Sequence, residues 1–505
     1  MIIQIGPAYY MYFDPKLWEA RQPYPPLGTL YAASVLRQSG HLPILFDATL
    51  ARSEKEWEDK LAQSRPDLAV IYEDNFNYLS KMCLLRMRHA ALNMIEAARR
   101  RNIPVVVSGS DAADHAETYL SHGADYVIIG EGEQTLAELV NLIESGREEE
   151  AAEVDGLAYL NNGVVFKTRP RQNIRKPDTL PFPARDLADM DHYRDIWISN
   201  HGYFSLNMVT ARGCPFHCNW CAKPIWGQRY HTRSPKNVVE EMEQIKNDFA
   251  PDYLWFMDDI MGMKPSWLVE FAGLIRKKEI NIPFKCLNRP DLLLREGIVN
   301  SLARAGCDMV WIGAESGSQK ILDAMEKGTR VDQIDEATRL LRDHGIKTGY
   351  FLQYGYPGET TEDIALTLEM IRRNQPDDIG ISVSYPLPGT KFYDSINEQL
   401  GSKQNWYDSN DMAMMYEGPY STPFYRKLHT ITHNEFYLIS KRDEVVQSLT
   451  RPRLSNWRSI AGYLKRKLLL PLQWRQLRRL SGNPANTFTP PDNRLSRQQA
   501  ATPTH

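Results

Sequence analysis

Along the first 145 residues, short apolar runs alternate with longer stretches of helical periodicity, and most runs end at a glycine or a polar residue. Ile2–Ile5, Leu42–Phe46, Leu68–Tyr72, Val105–Val107 and Tyr126–Ile129 have strand length and β-branched character, and a helix is predicted over Leu27–Ser39. Five βα units of this kind predict a doubly wound, Rossmann-like parallel sheet. Such sheets bind ligands beyond the carboxyl ends of their strands. Those ends here are Asp47, Glu73-Asp74-Asn75, Ser108-Gly109-Ser110 and Gly130-Glu131-Gly132-Glu133. By residue type alone, the same glycines equally suit plain turns.

Residues 146–202 read as a connector. It holds a hairpin, Gly156–Leu160 and Val164–Lys167, turned by Asn161-Asn162-Gly163, and then a proline-marked segment. From 203 to 400 the βα alternation resumes, with strands predicted at Asn207–Ala211, Tyr253–Met257, Phe284–Leu287, Met309–Gly313, Thr348–Gln353 and Ile379–Ser384. Six parallel, doubly buried strands predict a partial (β/α)6 barrel whose chemistry sits at the C-terminal strand ends. Residues 401–480 read as a mostly helical region. Within it, Asp408–Tyr425 is rich in methionine and aromatics and suits either a cover for the barrel mouth or plain core. The proline-bearing, apolar-poor segment 481–505 reads as a disordered tail.

Composition narrows the function classes. The chain has 505 residues, enough for several domains, and a net charge of −3 with both signs interspersed, which gives no reason to expect a nucleic-acid partner. Six cysteines, three of them bunched in one loop, argue against a disulfide framework and for a reducing, cytoplasmic compartment. No basic leader opens the sequence, and no apolar run approaches the roughly 18 residues of a membrane span. Arg451–Leu480 departs from the average, with nine Lys or Arg, no acid, and interleaved Trp457, Tyr463, Leu468–Leu470 and Trp474. It suits a peripheral contact with an anionic membrane, a plain solvated basic face, or a patch that steers an anionic substrate or redox partner.

The sharpest chemical signal is Thr210-Ala211-Arg212-Gly213-Cys214-Pro215-Phe216-His217-Cys218-Asn219-Trp220-Cys221, in which the thiols fall as C-x3-C-x2-C. Three thiolates on one loop can hold a cluster that normally takes four cysteine ligands, leaving one iron open. Structural zinc is the alternative, with His217 as fourth ligand. The spacing resembles the radical S-adenosylmethionine (SAM) superfamily. The upstream motifs, with Pro25-Pro26-Leu27-Gly28, resemble the B12-binding domain of its cobalamin-dependent branch. The resemblance implies an N-terminal cobalamin-binding domain over 1–145, a radical SAM core over 203–400, and three cofactors: a [4Fe-4S] cluster, SAM and cobalamin.

Carried over residue by residue, the resemblance makes Cys214, Cys218 and Cys221 both the cluster ligands and the catalytic centre. It places Trp220 near the SAM adenine, puts Asp258, Asp259, Arg289 and Glu315 at SAM-facing positions, and sets Asp47, Glu73, Ser108, Gly109, Gly130 and Glu131 around cobalamin. Taken singly, Arg289 and Glu315 also suit structural ion pairs. One departure stands out: Asp47-Ala48-Thr49-Leu50-Ala51-Arg52 lacks the histidine that ligates cobalt in many other B12 proteins.

The implied chemistry is reductive cleavage of SAM to a 5′-deoxyadenosyl radical, with a flavodoxin or ferredoxin as electron donor. Methylation of an unactivated carbon in a small-molecule or lipid metabolite would follow. The run from Trp226 to Glu241 is also close to the anaerobic magnesium-protoporphyrin monomethyl ester cyclases, whose outcome is oxidation without methyl transfer, so that outcome stays open. A degenerate cofactor-binding scaffold would lack the intact cysteine trio. A methylthiotransferase would need further N-terminal cysteines, whereas only Cys83 precedes Cys214.

Overall fold

A computed structural model describes residues 1–82, 84–223, 225–401, 405–409, 412–450 and 457–482. Cys83, part of the basic stretch (451–456) and nearly all of the expected tail (483–505) lie outside the described residues. The chain divides into two compact units. The first comprises 1–288, 295–310 and 386–411; the second comprises 289–294, 311–385 and the described residues from Met412 onward.

The first unit opens with the predicted doubly wound sheet. Strands β1 (Ile2–Gly6), β2 (Leu42–Leu45), β3 (Leu68–Tyr72), β4 (Val105–Ser108) and β5 (Tyr126–Ile128) pair in parallel in the order β2-β1-β3-β4-β5. Helices Leu27–Gln38, Glu54–Ser64, Leu85–Arg99 and Glu133–Glu144 cover its two faces. The strands are almost entirely buried, which is why they read as continuous apolar runs. The hairpin β6 (Leu157–Asn161) and β7 (Val164–Lys167), read from sequence as part of a connector, continues this sheet: β6 pairs antiparallel with β5, Val127 opposite Ala158. Ala158 and Leu157 are buried in the two cores of the sheet, so the apolar start of the hairpin finds its partner there.

The second sheet contains six strands: β8 (Ser205–Met208), β11 (Tyr253–Phe256), β12 (Phe284–Asn288), β13 (Cys307–Glu315), β14 (Lys347–Tyr354) and β15 (Asp378–Val383), in that spatial order. β8, β11 and β12 pair in parallel, as do β14 and β15, giving the partial barrel expected. Boundaries shift by a residue or two elsewhere, and most at the end of the first strand. The first strand ends at Met208 rather than Ala211, because the Asp258 carboxylate takes the backbone N–H groups of Thr210 and Ala211 out of the ladder. Ala211–Arg212 (β9) then pairs antiparallel with His231–Thr232 (β10), closing the long loop between them at its base.

The C-terminal region is helical over Thr422–Ser440, Arg442–Thr450 and Trp457–Leu480. Among the described residues, no helix is long and apolar enough to cross a membrane.

Candidate active site

The cysteine loop leaves the barrel through a set of buried hydrogen bonds. Asp258, just beyond β11, accepts from Thr210 N at 2.7 Å, Thr210 Oγ1 at 2.9 Å and Ala211 N at 2.5 Å. Its burial pushes its pKa up to about 7 against the pull of those bonds. Gly213 follows at φ +76°, where a Cβ would lie 2.4 Å from the Arg229 carbonyl oxygen, so only glycine fits. The loop from Cys214 to Cys221 has no helix or strand. Lys223 spans it, its ammonium donating to Phe216 O at 2.8 Å and Cys221 O at 3.4 Å. Phe392 N donates to Asn219 O at 3.0 Å.

Burial raises the Cys214 thiol and pushes Cys221 up to about 12. The fields of Asp259 and the neighbouring cysteines add to that rise, while Lys223 opposes it. Cys221 therefore feels both of the other thiols. Loading a metal here must displace protons from soft donors, which is the donor set an iron–sulfur cluster takes. His217, the alternative zinc ligand, is exposed. Among the described residues, no three His, Cys, Asp or Glu side chains close around a single ion position. Trp220, half-buried, sits one residue before Cys221, and Asp259 lies close enough to both Cys214 and Cys221 to raise them.

Immediately before Gly213, the Arg212 guanidinium is 3% exposed and contacts Glu131 Oε1 at 2.5 Å and Glu133 Oε1 at 2.8 Å. The rings of Tyr31 and Phe76 lie 5.3 and 5.5 Å away. Glu131 also accepts from Ile174 N at 2.6 Å. A residue read as cofactor-facing thus has both carboxylate oxygens engaged by protein. It ties the turn after β5 to the first turn of the cysteine loop.

The carboxyl edge of the first sheet keeps polar atoms in reserve. Glu73 accepts from Ala8 N at 2.9 Å through one oxygen. Its other oxygen, together with Tyr9 Oη, Asn75 Oδ1 and Ser110 Oγ, is buried and makes no hydrogen bond among the described residues. Burial lifts the Glu73 pKa to about 7, helped by the negative charges of Asp111 and Asp74. Glu73 packs directly against Gly109, since a Cβ there would meet Glu73 Cγ at 2.7 Å. Glu73, Tyr9 and Arg88, the last paired with Asp111, line a small cleft. Buried polar atoms without partners at the carboxyl edge of this sheet fit a polar ligand such as cobalamin. Gly130 takes φ +85° and turns the chain after β5. Ser108 is fully buried beside Tyr72. Asp47 is tied up locally, accepting from Tyr193 Oη at 2.9 Å and Thr49 N at 3.1 Å, and burial lifts it to about 6.

In the second unit, Arg289 donates to Asp291 Oδ1 at 2.9 Å and to Lys327 O at 2.8 Å, while Lys327 Nζ donates to Glu315 Oε1 at 2.8 Å. Both arginine and glutamate thus make the ion pairs that their residue types suggest. Glu315 nevertheless adopts φ +56°, a strained conformation for a side-chain-bearing residue at a strand end. Tyr416 bonds the Gly355 carbonyl oxygen, and Tyr425 reaches Glu359 at 3.4 Å, so the methionine- and aromatic-rich segment covers the end of β14. Glu359, taking Gly355 N at 2.7 Å, is pushed up to about 8 by burial.

Sequence reasoning assigned no role to Arg212 or Tyr9. Arg212 adjoins the first cysteine motif, and Glu131-Gly132-Glu133 was visible as a pair of acids. Nothing local could match partners 81 residues apart.

The radical SAM superfamily matches residues 208–371, and the B12 binding domain matches residues 17–140. An uncharacterized methyltransferase of Pyrococcus horikoshii is 27% identical over 424 residues, covering 83% of this chain and 88% of its own. An anaerobic magnesium-protoporphyrin IX monomethyl ester cyclase of Rubrivivax gelatinosus is 25% identical over 394 residues, covering 76% and 68%. Among solved structures, the cobalamin-dependent SAM radical enzyme OxsB with aqua-cobalamin bound has a similar fold, with a TM-score of 0.71 at 16% identity over 95% of this chain and 73% of that one.

Proposed function

Because this chain is a cobalamin-dependent radical SAM enzyme, whose cofactors are a [4Fe-4S] cluster, SAM and cobalamin, we propose that it methylates an unactivated carbon of a small-molecule or lipid substrate. The observation that carries this reading is the buried Arg212–Glu131–Glu133 group, which ties the three-cysteine loop to the polar edge of the first sheet within one compact unit. Such a tie suits an enzyme that uses both cofactors on one substrate.

In this reading Cys214, Cys218 and Cys221 hold the cluster, Trp220 lies against SAM, and Asp259 takes the polar end of SAM. Asp258 acts through the backbone it holds, fixing where the first cysteine begins. Glu73, Tyr9, Asn75 and Ser110 offer their buried polar atoms to cobalamin, and Gly109 lets Glu73 take its place among them. With the three cysteines holding it, a bound cluster would supply the electron for reductive cleavage of SAM, and bound cobalamin would supply the methyl group. The electron itself comes from a flavodoxin or ferredoxin. Glu315, Lys327 and Arg289 brace a strained strand end. The cover formed by Tyr416 and Tyr425 keeps water from the end of β14.

The relationship to the Rubrivivax gelatinosus cyclase favours a second reading, oxidation without methyl transfer. SAM carrying a labelled methyl group separates the two. Methylation requires label in the product and S-adenosylhomocysteine alongside 5′-deoxyadenosine. Unlabelled product with 5′-deoxyadenosine alone would replace methylation by the oxidative reading.

A further inference from the structure

From the outer face of the helix Trp457–Leu480 we infer a docking surface for an anionic lipid bilayer. One side of this helix is committed to the protein. Ile460, Trp474 and Leu477 are buried, Trp474 Nε1 donates to Glu435 Oε1 at 3.1 Å, and Arg466 lies 4.0 Å over the Tyr437 ring of the helix Thr422–Ser440. The adjoining side is apolar and open. Leu464, Leu468 and Leu472 follow one another at four-residue spacing, which stacks them on one face, and they are 50%, 75% and 52% exposed; Trp457 is 56% exposed. A soluble helix normally turns such residues inward.

Charge identifies the occupant. The helix carries seven Lys or Arg and no acid, in a chain whose 60 cations and 63 acids otherwise nearly balance. Lys465 and Arg475 flank the leucines and are exposed, as are Arg478 and Arg479 in the last turn. An apolar stripe bordered by long cationic side chains is the arrangement that lies in a lipid interface, with the leucines among the acyl chains and the cations at the phosphates. The sign of the charge selects anionic lipid. This surface is independent of which carbon the enzyme acts on.

The test is sedimentation of the full-length, anaerobically reconstituted protein with vesicles of pure phosphatidylcholine, or of equal parts phosphatidylcholine and phosphatidylglycerol. Binding to the anionic vesicles is expected, with little to pure phosphatidylcholine. It should weaken by about tenfold or more in Leu464→Ser/Leu468→Ser/Leu472→Ser and in Lys465→Glu/Arg475→Glu/Arg479→Glu. SAM cleavage in detergent-free buffer should be unchanged in both variants, separating lost docking from lost folding. No sedimentation with anionic vesicles would overturn the inference. So would equal sedimentation of wild type and both variants. A stable dimer by light scattering that the leucine variant dissociates would assign the stripe to a second copy of the chain instead.

Discussion

Replacing Arg212 with methionine isolates the contact that joins the first sheet to the cysteine loop. Methionine keeps much of the volume between Tyr31 and Phe76 but leaves Glu131 and Glu133 buried without a cation. Removing one partner of a buried ion pair costs about 3–5 kcal/mol, mostly as the penalty of the stranded charge. The unfolding entropy is about 2.1 cal/mol/K per residue, so for 505 residues this corresponds to a Tm lower by roughly 3–5 °C. The gap should depend on pH in a defined direction. Burial and the charge of Glu133 already raise Glu131 against the pull of Arg212, which the variant removes, so the penalty is full at pH 8 and shrinks as pH falls and Glu131 takes up a proton. Differential scanning calorimetry of the reconstituted protein from pH 5.5 to 8 measures it. A companion variant, Arg212→Met/Glu131→Gln/Glu133→Gln, should recover most of the loss because no charge is stranded. If Arg212→Met melted within 1 °C of wild type at pH 8, or the triple variant were no better than the single, the clamp would not hold these elements together.

Three further outcomes are expected. Cys218→Ala should retain far less iron than wild type and lose SAM cleavage, because the loop would have two thiols for three irons; iron content and 5′-deoxyadenosine yield check this, and a fully loaded, active variant would sink the ligand assignment. Cobalamin bound to wild type should show a spectrum without histidine ligation, since Thr49 stands where other B12 proteins carry that residue; Gly109→Ala, which forces a Cβ to within 2.7 Å of Glu73 Cγ, should retain about tenfold less cobalamin on gel filtration while keeping its iron. Glu359, with a folded pKa of about 8 against an unfolded value near 4.3, holds a proton that the unfolded chain releases, so its contribution is lost as pH rises through that window, by at most about 5 kcal/mol. Glu359→Gln should therefore gain in Tm relative to wild type between pH 5 and 8, and parallel curves would refute the buried-acid reading.

The sequence by itself determined what depends on near neighbours. The β-branched runs of the first sheet and five of the six barrel strands lie where their periodicity places them, because a strand buried on both faces must be apolar throughout, whatever it packs against. The cysteine trio was equally legible, since all three thiols lie within eight residues of a single loop. Tertiary structure decided matters that hinge on distant partners. The first barrel strand stops at Met208 because an acid 48 residues downstream takes the next N–H groups. The hairpin after residue 156 joins the first sheet because β5 offers it an open antiparallel edge. Glu131 and Asp258, both read as facing cofactors, spend their carboxylates on Arg212 and on the cysteine loop's backbone. In a buried site an unpaired charge or N–H costs more than a ligand contact gains, and only the folded chain shows which partner is near enough to satisfy it.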